Sequence, residues 1–167
     1  MSPVPIVCYR PVTPFNFIGD IMKNKIAIPF FLIFSFASQS ILARDDVSEF
    51  SVQEILSQEQ AKEVLGNDVR FYFGKQTYPR VIKNWGEVST NKKTNAFLKS
   101  DLEACNWVFL SAMVALKERA IREGGNAVIK IKSNYKGKEA VSNSTFQCGA
   151  GNIMAGVALK GTIVKIK

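Results

Sequence analysis

Histidine is absent from all 167 residues. That removes the commonest general base and a principal transition-metal ligand, so hydrolysis through a Ser-His-Asp or Cys-His arrangement is excluded for this chain alone. Cysteine is scarce, with only Cys8, Cys105 and Cys148. The last two lie far apart in sequence and have no further soft ligands beside them, so neither a zinc site nor any other cofactor is expected. No GxxxxGK string followed by Ser or Thr is present to wrap a phosphate. Gly149-Ala-Gly151 followed by Gly156 imitates a dinucleotide loop, but it precedes a strand signal rather than opening a helix. Turn formation and tight packing are the reading of those glycines. The carboxylates are few and dispersed, which gives no paired acid and base.

What is present begins with a leader. Lys23 and Lys25 form a short basic region, Ile26 to Phe36 an apolar run, and Ile41-Leu42-Ala43 a small-residue cleavage box. Such a run is shorter than the roughly 20 residues that a bilayer span needs, so residues 22–43 read as a signal peptide. Residues 1–21, with four prolines and no periodicity, read as an upstream extension ahead of a true start at Met22. No lipobox cysteine sits at the cleavage site, and no transmembrane anchor is expected after cleavage. The expected compartment is periplasmic or secreted.

Residues 44–167 then form a single exported domain, large enough for one packed core. The whole chain carries 22 basic and 14 acidic residues, and this part of it keeps a net charge of +6. An excess of that size favours anionic partners, although a soluble basic protein has the same balance. Cys105 and Cys148 are an even pair in an oxidising compartment and read as a disulfide; two separate buried thiols are the alternative.

The chain is organised around Ser100 to Lys132. Ser100 and Glu103 make a capping box, and Leu102, Cys105, Phe109, Ala112, Met113, Leu116 and Ala120 recur at helical spacing on one face. Lys117, Arg119 and Arg122 fall late, and Gly124-Gly125 supplies a left-handed stop. From Val128 the period switches to two. Before this unit, Ser51 to Glu54 offers a second capping box for one or two short helices. Val69 to Phe73 and Val81 to Thr90 read as strands joined in a hairpin, and Asn91 to Asn95 as a loop. After it come strands at Ser144 to Cys148 and Met154 to Ile166, with Gly156 and Gly161 marking bulges or close approaches. The expected fold is α+β: a mostly antiparallel sheet of about five strands packed on one long helix, with a short N-terminal helical segment.

For a binding surface, Asn91, Lys92 and Lys93 stand together in Thr90 to Asn95, where adjacent lysines among hydrogen-bonding side chains suit an anion; a solvated loop is the plain alternative. Lys130 and Lys132, with Lys136, Lys138 and Tyr135, make a second basic cluster. One tyrosine among lysines is slight support for base stacking, and export argues against nucleic acid as a partner. An enzymatic reading would need Glu87, Glu103 or Glu139 gathered in a concave pocket with perturbed titration.

Several separated strings, FYFG, TNKKTNAF, EAC, FLSA, EGGNAV, CGAG and MAGVALKG, resemble a family of small exported bacterial proteins of uncharacterised function. Some members carry the label of the ATPase component of an excinuclease. This chain has neither the Walker loop nor the CxxC zinc pairs of that ATPase, so the label is a misnomer for it. A helix ending in Gly-Asn-Ala-Val, a cysteine-bearing strand and a small-residue final strand are also similar, more distantly, to the sensor domain of the Rcs envelope-stress lipoprotein. The resemblance implies an exported domain related to the bacterial envelope and supplies no activity. The expected function is therefore a non-enzymatic binding or interaction module, with an envelope protein or an anionic ligand as partner. The alternatives are an envelope-acting enzyme without histidine and, disfavoured, a nucleic-acid-associated protein.

Overall fold

The computed structural model describes Arg44 and residues 46–167. The readings of residues 1–21 and of the signal peptide at 22–43 lie outside the described residues. The element order is β1 (Asp46–Ser51), α1 (Val52–Leu56), α2 (Glu59–Leu65), β2 (Arg70–Phe73), β3 (Val81–Asn95), α3 (Asp101–Glu123), β4 (Ala127–Tyr135), β5 (Lys138–Ala140), β6 (Thr145–Ala150) and β7 (Met154–Ile166).

Helix α3 forms where the periodicity places it. The Ser100 side chain accepts a hydrogen bond from the Glu103 amide at 3.1 Å, and Gly124 ends the helix at φ 79°, a left-handed conformation that costs a Cβ-free residue nothing. The buried face runs through Ala104, Cys105, Val108, Phe109, Ala112, Met113, Leu116 and Ala120. Leu102 does not join it and is 46% exposed. Ser51 caps α1 in the same manner, accepting from the Glu54 amide.

The fold class is α+β with one long helix, and the sheet differs from expectation in three ways. It has seven strands rather than about five, and it is mixed. Strand β2 pairs parallel with β4, while β1 with β6, β3 with β7, β4 with β5 and with β7, and β6 with β7 are antiparallel. Strands β2 and β3 form no hairpin: the intervening chain carries β3 across to β7, and α3 then returns to lay β4 beside β2. The two extra strands, β1 and β5, are polar and largely exposed. Their residues carry no apolar alternation; besides the backbone ladder, Phe50 packs on Phe146 and Glu139 pairs with Lys132 and Lys160.

The core lies between α3 and the facing side of β2, β4, β6 and β7. Phe109 stacks on Phe146 at a centroid distance of 4.0 Å, with Phe73 at 6.2 Å, and Met113, Leu116, Ile131, Leu159 and Ile163 fill the rest. Cys105 of α3 and Cys148 of β6, both fully buried, are joined by a disulfide with their Cα atoms 5.9 Å apart. Of the two glycines noted in β7, Gly161 is a close approach: a Cβ there would meet Val128 Cγ1 at 2.7 Å. On the opposite side of the sheet a second small cluster gathers Ala127, Ile129, Val164 and Ile166 with Tyr72, Tyr78 and Val81.

Among the described residues no helix is long and apolar enough to cross a membrane.

Candidate functional site

Residues Asn91 to Asn95 are strand, not loop. They continue β3, whose register with β7 runs unbroken from Glu87 opposite Thr162 to Asn95 opposite Met154. The polar composition suits this position because β3 pairs only with β7 among the described residues, so its other edge is wet and polar side chains suit it. Alternation then separates the two adjacent lysines, since successive side chains of a strand leave on opposite faces. Lys92 faces α3, and Lys93 faces away, beside Gly156 and Tyr135.

Lys92 thereby enters a trough of about 300 Å³ between β3 and the C-terminal half of α3, lined also by Ser89, Thr90, Asn91, Leu116, Arg119 and Arg122. Arg119 and Arg122 are three residues apart and so share a helix flank. The Arg119 guanidinium donates to Glu123. Lys92 and Arg122 have no ion pair among the described residues, which leaves the trough with unbalanced positive charge. A second depression, of about 290 Å³, shares Lys92 and Ala115 with it and is lined by Val64, Trp107, Leu110 and Val114, with Glu118 as its one carboxylate. Trp107 is 46% exposed there. Basic and apolar surfaces thus adjoin along the outer flank of α3.

Lys93 lines a different groove, of about 530 Å³, with Tyr135, Ile153 and Met154. A Cβ on Gly149 would collide with the Tyr135 ring, so glycine is what lets that ring lie against the sheet. Asn91, Lys92 and Lys93 therefore do not form one cradle. Asn91 and Lys92 line the trough, and Lys93 belongs to the opposite face.

Lys130 and Lys132 line one groove of about 400 Å³ but differ in their partners. A bulge between Ile129 and Lys132 breaks the register of β4 with β7, and Lys130 sits in it at φ 54°, exposed on the rim of that groove with Gln76, Tyr78 and Glu87. Lys132 is committed to an ion network: its ammonium lies 2.8 Å from Glu139 and 3.1 Å from Glu87, and Lys160 lies 2.8 Å from Glu139. Hydrogen bonds from Lys132, then Lys160, hold the Glu139 carboxyl down at about 2 from an ordinary 4.5. Its hydrogen bonds to Glu139, then Glu87, push Lys132 up. The network balances two cations against two carboxylates. Glu87 and Glu139 are brought together as the enzymatic reading requires, but Glu103 stands apart in the first turn of α3. A carboxylate held ionised down to about 2 is a weak base and no proton donor near neutrality.

The sign of that shift gives a pH prediction. A carboxyl whose pKa is lower folded than unfolded adds stability above its unfolded pKa and loses it as pH falls through the folded one. The contribution of Glu139 is complete above pH about 4.5 and declines towards pH about 2. Urea midpoints measured from pH 7 down to pH 2 are expected to fall less steeply in that window for E139Q than for the wild type; parallel curves would show that the network carries no pH-dependent stability.

The sequence marks Arg119 and Arg122 only as cations late in α3, not as site residues; Arg119 does make a surface pair, with Glu123. Their spacing on one helix flank was visible, but the strand that faces them was not. Among the described residues no three His, Cys, Asp or Glu side chains cluster as metal ligands. No family model, no curated protein and no solved structure matches the chain.

Proposed function

We propose that this chain is an exported, non-enzymatic binding module that holds an anionic partner in the basic trough between β3 and α3. The observation that carries this reading is the convergence of Lys92, Arg119 and Arg122 on one side of a free strand edge, where Glu123 engages Arg119 alone. Like charges set side by side repel one another, whereas an anionic partner turns that repulsion into attraction. The resemblance to exported envelope proteins and the bridge between Cys105 and Cys148 support export, since such a bridge persists in an oxidising compartment. The Lys132 network supports no anion site, because its ammonium already has two carboxylate partners.

The test is charge reversal. With a blocked octaglutamate peptide as probe, the K92E/R122E protein is expected to bind about tenfold or more weakly than wild type, each reversal removing an attraction and adding a repulsion of order 1 kcal/mol. Wild-type affinity is expected to fall with added salt. Both side chains are exposed, so the far-ultraviolet circular dichroism of the variant should be unchanged. Equal affinity in the two proteins would remove the trough from consideration.

A further inference from the structure

Resting on that reading, we infer that the anionic partner is an extended polypeptide segment, which adds as a strand to the free edge of β3. Two halves of this edge are built differently. From Val81 to Gly86 the register with β7 shifts twice, and Gly86 turns at φ 100°, so that half is kinked in the way that guards edges against pairing. From Glu87 to Asn95 the pairing is regular. No proline or bulge interrupts it, and a regular edge presents its alternate amides and carbonyls outward as a template for another strand, while Lys92 and Lys93 guard it against basic or neutral segments and leave it open to an acidic one. Ser89 and Asn91 are exposed on that stretch.

The trough supplies what an added strand would need beyond backbone pairing. A strand laid on this edge places alternate side chains towards α3, where Lys92 and Arg122 stand, and the others towards Lys93. Carboxylates at the inward positions meet two cations that have no ion pair among the described residues. Trp107, in the adjoining depression, offers an apolar stop at one end. A groove between an edge strand and a helix uses the backbone for affinity and the flanking side chains for choice of partner. The charge selects an acidic segment over a second copy of this chain, whose own edge would bring lysines to the same face.

Alternate backbone N-methylation separates the outcomes. The probe is acetyl-(Val-Glu)4-amide, followed by Trp107 fluorescence on the full oxidised chain with Trp85→Phe to remove the other tryptophan, beside two isomers methylated on alternate amides. All three carry the same charge. Strand addition expects one isomer, with its methyl groups turned towards β3, to bind at least tenfold more weakly, and the other to bind like the parent. If both isomers bind like the parent, or both are weakened equally, strand addition is overturned while the anion reading stands. If the parent peptide and octaglutamate both fail to bind, the reading itself falls. A self-dimer in sedimentation that K92E/R122E leaves intact and that excludes the peptide would assign the edge to a second copy and overturn the inference.

Discussion

Removing the Cys105–Cys148 bridge is expected to lower the stability of the folded domain by about 4 kcal/mol. The bond closes a loop of about 44 residues, and the chain-entropy relation assigns a loop of that size a stabilisation between the roughly 3 kcal/mol of a short loop and the 4.7 of a long one. Both cysteines are fully buried, one in α3 and one in β6. They tie the helix to a strand whose register with the sheet centre is short, Gly149 and Ala150 opposite Gly156 and Ala155, beside a hydrogen bond from the Gln147 amide to Ser133. Reduction therefore leaves that corner of the sheet, with β1 attached to it, held to α3 by the packing of Phe146 on Phe109. For a domain of this size the loss corresponds to a drop in Tm on the order of 15 °C. Thermal unfolding of the C105A/C148A protein against wild type checks it; a drop of only about 2 °C would mean that packing alone holds α3 on β6.

Phe109→Ala is expected to cost about 3–5 kcal/mol, the range for deleting a fully buried aromatic ring. Phe109 is stacked face to face on Phe146 and borders Phe73, so its loss opens a cavity where α3 crosses β6 and β2. Phe97→Ala is the matched control. Phe97 is 60% exposed, and its truncation is expected to stay within about 0.5 kcal/mol. Phe109 lies one helical turn beyond Cys105, and Phe146 two residues before Cys148, so ring stack and bridge are neighbours. Combining F109A with bridge removal is expected to cost less than the two losses added together, or to leave no folded domain to measure. Chemical denaturation of the single variants decides the magnitudes, and equal stability of F109A and F97A would contradict the core described here.

Much of this architecture was legible in the residues. Ser100, Glu103 and Gly124 delimit α3 by local chemistry, and the helical spacing of Cys105, Phe109, Ala112, Met113 and Leu116 marks its buried face. Local signals suffice there because cap, period and stop all lie within a few residues. The pairing of Cys105 with Cys148 was legible because reading Cys8 as part of a leader leaves one pair. Strand pairing was not legible. Nothing in Val69 to Phe73 says that it seeks β4, more than fifty residues away, rather than its sequence neighbour β3. Strand β1 and the second half of β3 are polar and take their conformation from a partner's ladder, which propensity does not encode. The same limit hid the site. Lys92 and Lys93 look like one charge cluster on paper, and only knowing that the segment is strand puts them on opposite faces. Arg119 and Arg122 acquire meaning only when β3 is laid beside α3.

Amide chemical shifts of the isotope-labelled, oxidised domain, recorded while the acidic Val-Glu peptide is added, test the binding site most directly. The largest changes are expected on Val88 to Lys92 of β3 and on Ala115 to Arg122 of α3, the two walls of the trough. Changes concentrated instead at Tyr135, Gly149 and Gly156, or at Lys130 and Lys132, would contradict it.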